Sequence, residues 1–215
     1  MPKKSWKYHK IMSIYKRNKD TGKFIIGEYA TPEIEFLWNN QWEFTEKVDG
    51  TNIRIKWDGK QVEIAGRGDN AQLPVPLINK LDELFKTLDA MTRLKEVFGD
   101  EEDLEVILYG EGFGGKIQSG GAYGEQDFVL FDVVINGMYL QRHNVNDIAK
   151  KLQIQSVPIL GQGTMDDAIK RCKVGFDSYW GDFTAEGIVA RPLGTELFSR
   201  RGDRIITKIK YRDFN

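Results

Sequence analysis

The chain of 215 residues carries 31 lysines and arginines against 32 aspartates and glutamates, a formal net charge of -1. No uninterrupted apolar stretch approaches the ~18 residues of a membrane-spanning helix, and no apolar run follows the basic N-terminus as a secretory signal requires. The single cysteine, Cys172, has no partner for an internal disulfide and is expected to be a small core side chain. These features argue against the membrane and secreted classes and predict a cytoplasmic, reducing location.

Positive charge is concentrated at the N-terminus although the chain as a whole is nearly neutral. Within residues 1–20, Trp6, Tyr8 and Tyr15 are interleaved with basic residues, and Asp20 is the single acid. Alternating bases and rings can follow a phosphate backbone and stack on nucleobases. A first strand with its basic side in water explains the same pattern, so both interpretations stay open. The seven basic residues are Lys3, Lys4, Lys7, Lys10, Lys16, Arg17 and Lys19.

The first elements with a clear pattern are strands. Residues 42–45 and 53–57 alternate between apolar and polar side chains, as strands with one buried face do. Asp58-Gly59 is a dipeptide favoured in tight hairpin turns, so residues 62–64 are expected to pair back on the preceding strand.

The middle of the chain predicts one helix and two buried strands. Apolar side chains recur at three- and four-residue spacing over residues 77–98, and Gly99 follows as a stop signal, which predicts a helix packed on a sheet. Residues 104–109 and 128–135 are short apolar runs typical of buried strands, and Asn136-Gly137 predicts a turn after the second run.

The last third predicts two helices and two closing strands. Asn144 is expected to cap a helix over residues 145–152, and Thr164 with Asp167 predicts a capping box that opens a helix over residues 165–173. The closing strands are predicted at residues 188–190 and 205–211. The mixture is α+β with mainly antiparallel hairpins, and the absence of a linker or repeat predicts a single domain over residues 1–215.

A glycine-rich run, Gly110 to Lys116, imitates two phosphate-binding motifs. It satisfies the G-x-G-x-x-G spacing, but the residues after it are loop-forming, whereas a dinucleotide site needs a helix there. It nearly matches a P-loop as well, but Ile117 replaces the Ser or Thr that would hold magnesium. We therefore interpret the run as a flexible loop leaving a strand that ends in a functional acid, Glu111.

The segment that suggests chemistry runs from Glu46 to Asn52 and contains Lys47, Asp49 and Gly50. A Lys-x-Asp-Gly string occurs by chance in about one chain in twenty-five of this length, and a solvated turn would explain it. The alternative is a lysine held in a cleft, where desolvation or cationic neighbours favour the uncharged, nucleophilic amine. Such a nucleophile suits attack on phosphorus or on a carbonyl group.

Five further short motifs follow this segment in order, each on a predicted strand or strand end. They are Gly66-Arg67, Tyr109-Gly110-Glu111, Phe131-Asp132-Val133, Glu186-Gly187-Ile188-Val189 and Lys208-Ile209-Lys210. With these motifs, residues 46–210 resemble the covalent nucleotidyltransferases, which include ATP-dependent DNA ligases, RNA ligases and mRNA capping enzymes. The Thr51-Asn52 ending resembles the phage-type, nick-sealing RNA ligase branch. The resemblance implies an ATP-grasp-like ligase domain of mainly antiparallel sheets flanked by helices.

The resemblance also implies roles for the matching residues. Lys47 would attack the α-phosphate of ATP to form lysyl-AMP, while Lys208 and Lys210, on one face of a strand, would neutralise charge on that phosphate. Glu186 would help to bind Mg²⁺ or Mn²⁺. Glu46 and the ring of Phe131 would hold the adenine, and Arg67 and Glu111 the phosphate and ribose side. The ATP contacts implied are Glu46, Asp49, Asn52, Arg67, Glu111 and Phe131.

The function expected from the resemblance is that of an ATP-dependent RNA ligase. It would transfer AMP from lysine to an RNA 5′-phosphate and seal that end to a 3′-hydroxyl, with nicked or duplex RNA as partner. A DNA ligase on the same domain, a capping guanylyltransferase and a non-catalytic nucleic-acid-binding module are the alternatives. The chain ends five residues after Lys210, so no C-terminal accessory domain is expected within it. A naturally minimal enzyme, a shortened chain and a clamp supplied by a partner protein all explain this ending.

Overall fold

The computed structural model of the chain describes residues 6–214. Lys3 and Lys4 of the basic N-terminal segment lie outside the described residues. The chain divides into two compact units, one containing residues 6–9 and Asp49–Ser156 and the other Lys10–Val48 and residues 157–214. The single domain expected over residues 1–215 stays a prediction. None of the helices described between residues 6 and 214 is long and apolar enough to cross a membrane.

Strands and helices are numbered along the chain. The strands are β1 (Met12–Ser13), β2 (Tyr15–Arg17), β3 (Phe24–Tyr29), β4 (Trp42–Lys47), β5 (Thr51–Trp57), β6 (Val62–Ala65), β7 (Val106–Phe113), β8 (Asp127–Ile135), β9 (Met138–Tyr139), β10 (Gln155–Ser156), β11 (Ile159–Gly163), β12 (Gly187–Pro192) and β13 (Thr207–Lys210). The α-helices are α1 (Pro32–Phe36), α2 (Val75–Phe85), α3 (Leu88–Phe98), α4 (Arg142–Leu152) and α5 (Met165–Val174). Two short 3₁₀ helices cover Gly120–Tyr123 and Tyr211–Asp213.

The first unit is built on one sheet with the strand order β10-β8-β7-β5-β6, and β9 pairs with β8. The strands are antiparallel to their neighbours except β10, which runs parallel to β8. Asp58-Gly59 lies in the hairpin between β5 and β6, as predicted. Asn136-Gly137 turns β8 into β9 with both residues at positive φ. Helices α2, α3 and α4 bury their apolar stripes against the sheet, which forms the core of this unit.

The helix predicted over residues 77–98 is in fact two helices, α2 and α3. Thr87 interrupts the helical backbone with φ -68° and ψ 157°, and its hydroxyl accepts a hydrogen bond from the N–H of Ala90, as a helix N-cap does. Leu81 and Leu94 lie on either side of this break and are buried in the same core. The apolar spacing therefore continues through the break, because it reports burial and not backbone continuity.

Of the two helix starts predicted in the last third, one is confirmed. Thr164 opens α5 with a capping box, in which its hydroxyl accepts from the N–H of Asp167 and the Asp167 carboxylate accepts from the N–H of Thr164 at 2.8 Å. Helix α4, however, begins at Arg142. Asn144 therefore lies inside its first turn and does not cap it.

The second unit contains a sheet of order β1-β13-β12-β4-β11 and a separate pair, β2 with β3. Strand β1 runs parallel to β13, and the other neighbours are antiparallel. Helix α5 covers one face of the sheet, where Met165 and Cys172 join a core with Ile188 and Ile209. Side chains alternate along a strand, so Lys208 and Lys210, the neighbours of Ile209, point to the opposite face of the sheet. That face carries the candidate site.

The glycine-rich run is part of a strand and a turn. Gly110 lies inside β7, where a Cβ would overlap the ring of Phe128, so packing requires glycine. Gly114 turns the chain at a φ of 88°, and the chain continues into the 3₁₀ helix Gly120–Tyr123 and not into an α-helix. The rejection of a dinucleotide site is therefore confirmed, although Glu111 lies within β7 and not at its end. The α+β class with mainly antiparallel sheets and flanking helices is confirmed as well.

Candidate active site

Lys47 is the last residue of β4, and the carboxylate of Glu186 holds its ammonium group. The distance from Lys47 Nζ to Glu186 Oε2 is 2.5 Å, and Lys210 Nζ lies 2.5 Å from the other carboxylate oxygen, Oε1. The side chains of Lys47, Lys210 and Glu186 are 20%, 16% and 11% exposed. Charges this far from water need partners, so the two lysines and the carboxylate form one ionic cluster.

Strand register brings these three side chains together. Gly187, the first residue of β12, pairs with Lys47 of β4 on one side and with Lys210 of β13 on the other. Glu186 immediately precedes Gly187, so it is placed between the two strand ends that carry the lysines. Gly187 has a φ of 155°, and a Cβ there would overlap the carbonyl oxygen of Ile209. Glycine is therefore required for the close approach of β12 and β13.

Lys208 adds a third positive charge to this face. It lies two residues before Lys210 on β13 and so projects to the same side of the sheet. Burial lowers the pKa of Lys208, and the nearby charges of Lys47 and Lys210 lower it further, while Glu186 opposes the shift. No carboxylate described between residues 6 and 214 forms an ion pair with Lys208. Three lysines thus share one carboxylate, and the surplus positive charge suits a phosphate group.

Glu46 precedes Lys47 on β4 and therefore points to the opposite, core-facing side of the sheet. Its side chain is buried, and its two oxygens accept hydrogen bonds from the Ser178 hydroxyl at 2.6 Å and from the Tyr179 backbone N–H at 2.9 Å. Burial raises the pKa of Glu46, and these two hydrogen bonds oppose the increase. Ser178 and Tyr179 carry no local sequence signal for this contact, since they lie more than a hundred residues away.

The first unit contains Asp49, Asn52 and Glu111. Asn52 of β5 and Glu111 of β7 are directly opposite each other in the antiparallel pairing, so these two polar side chains are cross-strand neighbours. Asp49 forms two hydrogen bonds with the segment that follows the glycine-rich run. Its N–H donates to the Tyr123 hydroxyl at 3.1 Å, and its carboxylate accepts from the N–H of Ser119 at 3.3 Å.

Phe131 of β8 lies in an aromatic cluster of the first unit. The ring of Tyr8 meets it edge-on at 5.0 Å between centroids and also packs on Tyr109 at 4.9 Å. The Tyr8 hydroxyl donates a 2.5 Å hydrogen bond to the carboxylate of Asp132, which is fully buried. The sequence did not predict these contacts of Tyr8, because its partners lie over a hundred residues further along the chain.

Arg67 belongs to the first unit. It lies two residues beyond β6, and its side chain is exposed. Among the predicted site residues, the structure therefore brings together Lys47, Glu186, Lys208 and Lys210 in the second unit. Asn52 and Glu111 meet in the first unit.

A divalent metal ion would have one carboxylate available in the second unit's cluster. The described part of the chain contains no group of three or more His, Cys, Asp or Glu side chains suited to a metal. Magnesium commonly uses one or two protein carboxylates and takes its remaining ligands from water and phosphate oxygens. Glu186, beside three lysines that attract phosphate, fits that kind of site.

The fold and this cluster are together characteristic of the covalent nucleotidyltransferases. The match to a family model is narrower, because residues 40–210 match the model of RNA ligase. The chain therefore belongs to the RNA ligase family, and the resemblance found in the sequence is confirmed.

Solved structures of Naegleria gruberi RNA ligase share this fold. A mutant with ATP and Mn has a TM-score of 0.63 at 19% identity, over 85% of this chain and 54% of that chain. The form with PPi has a TM-score of 0.62 at 21% identity, and a mutant with AMP and Mn has 0.62 at 20%, each over 83% of this chain and 52% of that chain. Identities this low establish the fold alone, and the chain spans about half the length of these relatives.

Proposed function

We propose that the chain is an ATP-dependent RNA ligase whose Lys47 forms lysyl-AMP, with residues 1–215 acting as a single adenylyltransferase domain. The observation that carries this proposal is the cluster of Lys47, Glu186 and Lys210, with Lys208 beside it, in a member of the RNA ligase family. The Naegleria relatives with ATP, AMP and Mn support the choice of nucleotide and metal.

In the first step, the Lys47 amine attacks the α-phosphorus of ATP. An N–P bond forms, the bond from that phosphorus to the β-phosphate oxygen breaks, and pyrophosphate leaves. The ammonium form of lysine has no lone pair, so Lys47 must first lose a proton. Glu186 Oε2, at 2.5 Å from Nζ, is the nearest base to receive it and would pass it on to water before the carboxylate binds a metal ion.

The other two lysines stabilise the charge that develops on the α-phosphate. Lys208 and Lys210 project from one face of β13 and can contact its non-bridging oxygens together, which is electrostatic stabilisation by groups already in place. Glu186 would hold a Mg²⁺ or Mn²⁺ ion, and that ion would neutralise phosphate charge. Once a phosphate occupies the lysines, the Glu186 carboxylate is released from them for this role.

Residues of the first unit are proposed to bind the rest of the nucleotide. The ring of Phe131 stacks on adenine, and Glu111 accepts hydrogen bonds from ribose hydroxyls, with Asn52 opposite it in the sheet. Asp49 and Arg67 complete the ATP contacts. Glu46 is proposed to hold the end of β4 beside the nucleotide, because its side chain is already hydrogen-bonded in the core and its N–H donates to the carbonyl of Pro158.

In the later steps, AMP moves from Lys47 to the 5′-phosphate of an RNA end, and a 3′-hydroxyl then displaces AMP to form the phosphodiester. Activation with AMP makes the 5′-phosphate a better electrophile, and in-line positioning with cationic neutralisation supplies most of the rate. We propose nicked or duplex RNA as the substrate and RNA repair in the cytoplasm as the setting. A partner protein could add a clamp on the RNA.

Intact mass spectrometry after incubation with ATP and Mg²⁺ tests the first step. Wild type should gain one AMP, Lys47→Ala should gain none, and Lys170→Ala, which removes an exposed lysine from α5, should behave as wild type. An adduct on Lys47→Ala, or none on wild type, would contradict the proposal.

Matched nicked duplexes test the substrate. A labelled 5′-phosphate at a nick in RNA should be sealed faster than the same nick in DNA, and GTP should not replace ATP in the mass assay. Faster sealing of DNA would favour a DNA ligase, an adduct with GTP alone would favour a guanylyltransferase, and RNA binding without an adduct would favour a non-catalytic module.

A further inference from the structure

The second unit has a cavity along β13 that includes Lys208 and Lys210 and extends to residues that the adenylation chemistry does not use. Its volume is about 670 Å³, and it lies between the segment of residues 10–17 and the chain from Lys208 to Asp213. The basic side chains that line it are Lys10, Lys16, Arg17, Lys208, Lys210 and Arg212. Asp213 is the one acidic residue among the lining residues.

Half of these cations have local partners and half do not. Lys210 pairs with Glu186, Arg17 with Asp213, and Lys16 lies 3.5 Å from Glu28. Within the part of the chain that the structure describes, Lys10, Lys208 and Arg212 form no ion pair. The positive charges of these three side chains repel one another, and an anion in the cavity relieves that repulsion.

Backbone pairing, an ion pair and a hydrogen bond fix the walls of the cavity. Strand β1 pairs in parallel with β13, with Ser13 opposite Lys208. Arg17 forms a 2.7 Å ion pair with Asp213, whose side chain is only 3% exposed. The other Asp213 oxygen accepts from the N–H of Lys210 at 3.1 Å. These bonds fix the basic segment alongside the catalytic lysines before any ligand arrives, which lowers the entropy cost of binding.

The length of the basic surface decides which anion it fits. Residues 10–17 would span at most about 23 Å if fully extended, and the bend at Ile14 between β1 and β2 shortens this distance. Successive phosphates of one strand in a duplex advance ~3.4 Å along the helix axis, so a surface much shorter than about 23 Å still faces several phosphates. A pyrophosphate has only two phosphorus atoms and would leave most of the surface uncovered. The wall therefore matches a polynucleotide strand better than a single small anion.

We propose that the part of this surface lined by Lys10, Lys16 and Arg212 binds the phosphodiester backbone of the RNA strand that is being joined. The inference rests on the proposed RNA ligase function and assigns where that substrate binds on the second unit. Lys10 and Arg212 hold backbone phosphates of the strand, while Lys208 and Lys210 remain with the reacting phosphate.

The test is RNA binding as a function of salt, which needs no chemistry. Fluorescence anisotropy with a labelled, 5′-phosphorylated nicked RNA duplex would be measured from low to moderate salt for the variant Lys10→Gln/Arg212→Gln. Losing two phosphate contacts should lower the slope of log K against log salt by about 1.8 and weaken binding about 10-fold or more. The matched control Lys23→Gln/Lys170→Gln removes two exposed lysines outside the cavity from the same unit and should bind as wild type does.

The outcomes separate this inference from the proposed function. An unchanged salt slope in the cavity variant, or an equal loss in the control, overturns the assignment. If the cavity variant binds RNA normally but needs more pyrophosphate to remove AMP from the enzyme, the cavity is a pyrophosphate site and the assignment to RNA is overturned. A wild type that never forms an AMP adduct contradicts the proposed function, whereas the binding result still decides this inference.

Discussion

Glu186 is the residue on which the lysine cluster depends, and replacing it with glutamine should show this in stability. The amide keeps the size of the side chain but removes its charge. Of the two Glu186 oxygens that lie 2.5 Å from Lys47 and Lys210, one becomes an NH2 donor and the other a neutral amide oxygen, so neither lysine keeps a charged partner. Because both lysines are at least four-fifths buried, they would keep their charge with little water to solvate it.

The expected cost follows from that burial. Removing one partner of a buried ion pair costs about 3–5 kcal/mol, since the other charge remains uncompensated. Water reaches Lys47 and Lys210 in part, so we expect the lower end, about 3 kcal/mol. Lys210→Met should cost less, because Glu186 keeps Lys47 as a partner. The double variant should then cost less than the sum of the single variants by about 1–3 kcal/mol.

Native-state hydrogen exchange in rising urea, read by mass spectrometry on peptides from β12 and β13, measures this stability within the second unit. Glu28→Gln is the control, because Glu28 lies 3.5 Å from Lys16 with both side chains more than half exposed. That exposed pair should contribute under about 1 kcal/mol and lose its effect in high salt. Additive costs for the Glu186 and Lys210 variants, or a Glu186→Gln cost no larger than the control, would refute the ionic cluster.

Three further predictions test contacts elsewhere. Burial raises the pKa of Glu46 above its unfolded value, so the folded state holds its proton to higher pH. As pH rises from about 4, the unfolding free energy of wild type should therefore fall relative to that of Glu46→Gln, by about 1.4 kcal/mol per unit of pKa shift. Ser178→Ala removes a hydrogen bond that opposes the shift and should make this fall steeper. Urea titrations at several pH values measure both effects. Tyr8→Phe removes the hydroxyl bound to the buried carboxylate of Asp132 and should cost about 1.5–3 kcal/mol in the first unit, whereas an unchanged exchange rate there would contradict the contact. Thr164→Ala removes the cap of α5 and should cost about 1 kcal/mol by hydrogen exchange of that helix, with Thr164→Ser restoring most of it.

Sequence patterns predicted those parts of the fold that neighbouring residues determine. Asp58-Gly59 and Asn136-Gly137 were placed correctly because a tight hairpin depends on two adjacent residues. The capping box of Thr164 was found for the same reason, since both its hydrogen bonds lie within three residues. The division into α2 and α3 was missed because Thr87 is an ordinary residue at a position where the apolar spacing shows no change.

For the candidate site, the sequence predicted the residue types better than their contacts. Lys208 and Lys210 were expected on one face of a strand, and the pairing with Glu186 follows from the register of β12 and β13. The hydrogen bonds of Ser178 and Tyr8 had no local signal, because each joins segments that are distant in the chain and meet only when the sheets form.

Two consecutive residues of β4 have different roles because their side chains point to opposite faces of the sheet. Lys47 projects to the face with Glu186, while Glu46 projects to the core and hydrogen-bonds Ser178. A side chain whose oxygens are both occupied in the core cannot also turn toward a nucleotide without breaking those bonds, each worth about 1.5–3 kcal/mol to a charged group. The acid beside the nucleophile is therefore better understood as an anchor that fixes the end of β4, and with it the position of Lys47, than as a direct contact to adenine.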